Sequence, residues 1–320
     1  MTSKRIFITG ASGCIGHYVV DKLIQDTEHE LFLLVRDPQK LKLNLTARAG
    51  IHLLQGDMLH IERHRQLLKT VDYAVLIATA WGGPNTHDIN VTKTIRLLNL
   101  LDPDVCQQVV YFSTASILGR DNQPLKQAGE VGTDYVRTKY DCHQRMQKLA
   151  IAPRVTTVFP TLVFGGDATK PLSQISGGLP QVVRWIDLIR FLKADGGFHY
   201  IHCEDIAKVV LLLLHRSPTE GESRQLVLGN APLTVNEAIE EISRYFGRRI
   251  YFRIPLTAGL ANFFIRVFRI QMAAWDRFCM DYRYFTYEQF VNPATYGSVP
   301  YCATLSEVFK VSGIAPRSNS

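Results

Sequence analysis

The sequence of 320 residues predicts an α/β fold, a doubly wound parallel sheet with helices on both faces and a smaller C-terminal lobe. Three observations predict it. Short β-branched runs alternate with amphipathic segments through the first half. Several runs, such as Leu31–Val35, are apolar at every position, as strands buried on both faces are. The run Gly10-Ala11-Ser12-Gly13-Cys14-Ile15-Gly16 joins the first strand segment to the first helical one.

In chain order, Arg5–Thr9 reads as a strand and Cys14–Asp26 as a helix, with Ile15, Val19, Leu23 and Ile24 on one stripe. Leu31–Val35, Ile51–Leu54 and Tyr73–Ile77 are the next strands. A helix follows at Asn90–Leu101, a strand at Val109–Ser113, a helix at Thr133–Leu149 and a strand at Val155–Val158. Beyond Pro160 the glycine pairs at 165–166, 177–178 and 196–197 punctuate the chain, with an apolar helix over Gln181–Leu192. A strand at His199–His202 leads to a helix from Glu204. Another strand ends at Leu228-Gly229-Asn230. Thr234-Val235-Asn236-Glu237 is a capping box that opens a helix to Phe246. Residues 1–160, with 199–230 returning, form the first domain; 161–198 and 231–320 form the second lobe.

Hydrophobic residues at 46% and charged residues at 20% are ordinary globular usage. The net charge of +7 favours a phosphate-bearing small-molecule ligand. The charges are dispersed, which argues against nucleic acid. Six cysteines without a CxxC read as free thiols in a reducing compartment. No signal sequence precedes the first strand, and Val209–Leu214 is too short to span a bilayer, so a cytoplasmic location is expected. A homodimer is left open.

The glycine turn has the spacing GxxGxxG. One glycine permits a sharp turn, one lets backbone N–H groups approach a pyrophosphate, and one lets helix and strand pack closely. Its place between strand and helix makes it a dinucleotide site on a Rossmann sheet. Arg36, which follows the second strand, suits a 2′-phosphate, and Asp37 a ribose hydroxyl. NADP is therefore favoured, with NAD as the alternative. Asp57 either meets adenine or caps a helix starting near Ile61. The expected cofactor contacts are Gly10, Ser12, Gly13, Cys14, Ile15, Gly16, Arg36, Asp57, Met58, Ala78, Thr79, Lys139 and Pro160. No metal site is expected. His60 and His64 lack the glutamate of a zinc motif. The two acids in His202-Cys203-Glu204-Asp205 fit a helix N-terminus.

Tyr135 and Lys139 are one helical turn apart, so phenol and ammonium share a face. A nearby cation is expected to lower the phenol's ordinary value of about 10. The tyrosine then exchanges a proton with a hydroxyl or carbonyl while hydride moves to or from nicotinamide. Hydroxyls at Ser113, Thr114 and Ser116 close the preceding strand and are placed to orient that oxygen.

Together these residues resemble the extended short-chain dehydrogenase/reductase superfamily, the group of NAD-dependent epimerases and dehydratases. The likeness covers residues 4–246. It rests on Thr9–Gly16, Gly56-Asp57, Asn90, Phe112–Gly119, Tyr135/Lys139, Pro160–Gly165, His202–Ala207 and Leu228–Asn230. It implies that Tyr135, Lys139 and Thr114 are catalytic, since Thr114 stands five residues before Gly119. It also implies that Lys139 holds the nicotinamide ribose, that Asn90 is structural, and that the substrate is a hydroxyl or carbonyl compound such as a nucleotide sugar. Three features depart from the pattern. Phe159 stands where sugar-nucleotide members often carry arginine. No Asp-Glu pair follows Thr114, which points away from sugar 4,6-dehydratases. Trp81-Gly82-Gly83-Pro84 forms an unusual loop at the cleft edge.

Residues 249–320 are rich in aromatics. Leu256, Leu260, Phe263, Phe264 and Val267 fall at helical spacing, read first as a core-packing helix. The other readings are a lid over an apolar substrate and a basic helix on an anionic membrane, which is not favoured. Two rivals to an epimerase remain: an NADPH-dependent ketone or aldehyde reductase of an apolar substrate, and a non-catalytic dinucleotide-binding assembly subunit.

Overall fold

A computed structural model describes residues 3–216, 224–257, 259, 260, 262 and 271–316. The seven-stranded sheet is built from β1 (Arg5–Thr9), β2 (Glu30–Val35), β3 (Ile51–Gln55), β4 (Tyr73–Leu76), β5 (Gln108–Phe112), β6 (Val155–Pro160) and a late strand at Gln225–Leu228. All its pairings are parallel. Its order, with the late strand first, continues β6-β5-β4-β1-β2-β3, so the winding reverses between β1 and β4. Ligands of such sheets bind at that reversal, beyond the carboxyl ends of the strands.

Strand residues alternate between two cores. On one face Ile6, Ile8, Leu31 and Leu33 pack with α1 (Cys14–Asp26) and a helix at Cys203–His215. On the other, Phe7, Phe32, Ala74 and Tyr111 pack with α3 (Thr94–Leu100) and α5 (Asp134–Met146), beside the shorter α2 (Arg65–Leu68) and α4 (Lys126–Glu130). These all-apolar strands are therefore covered on both sides.

Two elements differ from expectation. The helix placed at Asn90–Leu101 begins with a π-helical turn at Asp88–Lys93 before α3. The helix placed at Gln181–Leu192 is α6 (Gln174–Ile189), which starts about two turns earlier. Ser173 opens it by accepting from the Ser176 N–H at 3.0 Å, and Pro180 lies within it. The capping box at Thr234 and Glu237 forms at the start of Val235–Tyr245.

Outside the large sheet, β7 (Leu162–Phe164) pairs with Tyr200–His202. Phe164, Leu179, Ile186, Phe246 and Phe309 build a separate core there. His199 joins the units: its Nδ1 donates to the Asn230 carbonyl at 2.7 Å while Nε2 accepts from the Tyr287 N–H at 3.0 Å. Asp205, read as a helix-terminus acid, also receives the Tyr301 and Cys302 N–H groups at 2.6 and 3.2 Å, fastening the late chain to the sheet's helix layer. Burial pushes its carboxyl up. Most of the helix read across Leu256–Val267 lies outside the described residues. Among the described residues no helix is long and apolar enough to cross a membrane.

Candidate dinucleotide and reaction site

The glycine turn divides its three tasks by geometry. Gly10 has φ +77°, and a Cβ there would stand 2.6 Å from the Ala78 backbone nitrogen. A Cβ at Gly16 would stand 2.1 Å from the Gly10 carbonyl oxygen, inside any allowed contact. Gly13 is the open one, with that same oxygen 3.4 Å away as its nearest obstacle. Behind the turn His17 is fully buried; its Nδ1 donates to the Gly13 carbonyl at 2.8 Å and its Nε2 accepts from the Lys42 N–H at 3.0 Å. Burial lowers its pKa, consistent with the neutral ring these bonds require. Sequence reasoning missed His17, because nothing in its spacing distinguishes it from another polar helix residue.

A cleft of about 640 Å³ runs across the ends of β1 and β4. Gly10, Ser12, Gly13, Cys14 and Ile15 line it at the turn. Arg36, Asp57, Met58, Ala78, Thr79 and Pro160 line it too, as do Thr114, Tyr135 and Lys139. Gly16 is the exception. It does not line the cleft; it faces Gly10, because its task is to let α1 approach the strand end.

At one end Arg36 is 74% exposed and stands 3.8 Å from the Asp57 carboxylate. Asp57 accepts from the Leu59 N–H at 2.9 Å and so caps a 3₁₀ turn that starts at Met58, earlier than the helix expected near Ile61. Asp37 accepts from the Gln39 N–H at 3.1 Å and is committed to its own turn.

At the other end Thr114, whose hydroxyl accepts from the Ser116 N–H at 3.3 Å, lines the cleft with the half-buried Tyr135. Burial pushes the Tyr135 phenol up to about 12, and the Thr114 hydroxyl pulls the other way. The expected lowering by Lys139 is not what this arrangement produces. The ammonium is 2% exposed, donates to the Phe112 carbonyl at 2.8 Å and lies 5.0 Å over the Tyr111 ring. Burial brings it down to about 8. Asn90 fixes the frame: its Oδ1 accepts from Thr79 and the Ala80 N–H at 3.1 and 2.8 Å, and its Nδ2 donates to the Ala80 carbonyl and Thr138 at 2.8 and 3.0 Å. The π-turn carries Asn90, as such turns often do beside functional sites.

The lowered Lys139 has a measurable consequence. Its folded-state pKa near 8 lies below the ordinary 10.5, so folding pays for an ammonium at pH 7. Between those values the unfolded chain holds the extra proton, and stability rises with pH. Lys139→Met is therefore expected to raise the denaturation midpoint at pH 7, with the advantage shrinking from pH 8 toward 10.5. A midpoint difference that does not vary over that range would refute the buried charge.

For two further residues of the cleft the structure adds what spacing could not give. Ser113 Oγ is buried without a partner at the end of β5. Trp81, 56% exposed, stacks on Tyr135 with ring centroids 4.2 Å apart, which sets the unusual loop directly over the phenol. Its signal was the Gly82-Gly83 pair beside it, which marked the loop but not its direction. The open Gly13, the helix start behind it and the orphaned Ser113 hydroxyl fit a dinucleotide laid from the Arg36 end to the Tyr135 end.

Among solved structures, the protein gox2253 aligns with a TM-score of 0.67 and 18% identity over 98% of this chain and 100% of its own. The dTDP-glucose 4,6-dehydratase of Bacillus anthracis, solved with NAD, aligns at 0.62 and 13% identity over 98% and 96%. The UDP-glucose 4-epimerase of Thermotoga maritima, solved with UDP-glucose, aligns at 0.60 and 15% identity over 96% and 97%. At these identities the likeness is one of fold. No curated protein matches the sequence. The model of the NAD dependent epimerase/dehydratase family matches residues 6–229. With that match over most of the sequence, the chain belongs to the NAD dependent epimerase/dehydratase family of nicotinamide-dependent enzymes.

Proposed function

We propose that this protein is an NADP(H)-dependent oxidoreductase that interconverts a carbonyl and a hydroxyl group on an uncharged, largely apolar substrate. The observation that carries the reading is the common cleft: Tyr135, Thr114 and Lys139 line the same cavity as Gly10–Ile15. The dinucleotide supplies or accepts the hydride. In the reducing direction Tyr135 donates its phenolic proton to the carbonyl oxygen. Thr114 holds that oxygen against the phenol. Lys139, which lines the same cavity with its ammonium on the Phe112 carbonyl, is assigned to the nicotinamide ribose.

The substrate class follows from charge placement. Arg36, Asp37, Lys40 and Asp57 crowd the ribose end of the cleft. Toward the reacting end, among the described residues, Lys139 is the one charged lining group. Trp81, Leu162, Leu172 and Ile175 form the wall there and expose apolar surface to it. A pyrophosphate would meet no cation on that wall, whereas a flat or branched hydrocarbon body would meet a matching surface. A nucleotide-sugar substrate remains the second reading, favoured by the UDP-glucose held by the Thermotoga maritima epimerase. Following NADPH oxidation with a panel of aryl and alkyl ketones, beside a titration with UDP and dTDP, separates the two. Turnover of the ketones without diphosphate binding supports the first reading; tight diphosphate binding with inert ketones replaces it with the second.

Arg36 is proposed to select the phosphorylated cofactor. Its exposed guanidinium stands free to leave Asp57 for a 2′-phosphate. Arg36→Ala is expected to weaken NADPH binding roughly 10- to 100-fold, the worth of a charge-assisted hydrogen bond, with NADH nearly unchanged. Equal NADPH affinity in the variant and the parent excludes this role.

A further inference from the structure

The dinucleotide turn also carries a thiol that cofactor binding does not require. Cys14 begins α1 and Cys203 begins the helix at Cys203–His215; the two helices pack side by side. Their sulfur atoms are 3.4 Å apart. A disulfide needs about 2.05 Å, so closing the pair asks for a shift of roughly 1.4 Å. Gly165 covers both: a Cβ there would stand 2.6 Å from the Cys203 sulfur and 3.2 Å from the Cys14 sulfur. Access is one-sided. Cys14 is half-buried and lines the cleft, while Cys203 is fully buried behind it. Burial and the neighbouring sulfur hold the Cys203 thiol well up, so Cys14, on the open side, is the one that meets an oxidant first.

We propose that Cys14 and Cys203 form an oxidation site at which a hydroperoxide cross-links the dinucleotide turn. Cys14 takes one oxygen from the peroxide and becomes a sulfenic acid, and the peroxide leaves as water or an alcohol. The Cys203 sulfur then attacks the Cys14 sulfur; the S–O bond breaks, and the thiol proton leaves with hydroxide as water. Two thiols lose two electrons and the O–O bond gains them. The disulfide draws the start of α1 toward the neighbouring helix and moves the N–H groups of the turn. Dinucleotide affinity falls as a result, and a bound dinucleotide shields Cys14. This consequence rests on the reading that the turn seats NADP(H); the cross-link itself does not.

The test treats the full-length reduced protein with hydrogen peroxide. The expected result is a loss of about 2 Da, a Cys14–Cys203 peptide under non-reducing conditions, and an NADPH Kd raised at least about tenfold, all reversed by dithiothreitol. Prior saturation with NADPH slows the cross-link. Cys203→Ser binds NADPH as the parent does, and peroxide adds oxygen to its Cys14 without a cross-link; Cys203→Ala replaces it if serine impairs folding. Gain of oxygen on Cys14 of the parent with no cross-link overturns the proposal, and so does a cross-linked protein with unchanged NADPH affinity. If the reduced protein binds no dinucleotide at all, the functional reading fails, and the mass measurement still decides the cross-link.

Discussion

Tyr135→Phe is expected to lower turnover by about 10²- to 10⁴-fold while leaving NADPH affinity within about twofold, as loss of a general acid does. The phenol is the group beside Thr114 at the reacting end of the cleft. Removing its oxygen deletes the proton donor and keeps the ring that stacks on Trp81. The split between unchanged cofactor binding and lost turnover is the informative result, because a misfolded variant would lose both. Since burial holds the phenol near 12, the acid form dominates across neutral pH. The proton donor is therefore expected to stay loaded across neutral pH, so the first change in the reduction rate is expected near pH 8, where Lys139 of the same cleft loses its proton. Unchanged turnover in Tyr135→Phe would leave the non-catalytic, dinucleotide-binding subunit as the better account.

Gly16→Ala is expected to destabilise the protein by about 3 kcal/mol or more, the upper range for forcing a methyl into a filled site. Its Cβ would lie 2.1 Å from the Gly10 carbonyl oxygen and 2.7 Å from the Ala11 Cα. Both obstacles are backbone, so no side chain can turn aside. α1 has to withdraw from the end of β1, and the turn opens with it. Gly13→Ala is the control within the same motif. Its methyl meets only the Gly10 oxygen, at 3.4 Å, and otherwise projects toward the cleft. It is expected to keep the denaturation midpoint and to weaken NADPH binding. Urea unfolding with a parallel NADPH titration measures both. Equal midpoints for Gly16→Ala and the parent would show that helix and strand do not need this contact.

Much of the fold was legible because burial on both faces leaves a simple record. Residues such as Ile6, Phe7 and Ile8 are wholly buried, and no polar residue interrupts their runs. The turn was legible for a related reason: Gly10 adopts a backbone conformation that side chains disfavour. Less of the helix boundaries was readable. The start of α6 depends on Ser173, whose hydroxyl also donates to the Val163 carbonyl at 2.7 Å, a partner ten residues away. The pairing of Tyr135 and Lys139 on one helix face was readable from spacing. The direction of the Lys139 ammonium was not, because its partner is a carbonyl on β5, 27 residues earlier.

By itself the sequence determined the parallel sheet, the glycine turn and the family to which they belong, since each depends on neighbours within about one strand and one helix. The tertiary structure alone decided that Trp81 lies over the phenol, that Asp205 fastens the late chain, and that Cys14 meets Cys203. The last two contacts join segments 96 and 189 residues apart. Hydrophobic periodicity records which face of an element is buried, but not which distant residue lies against it.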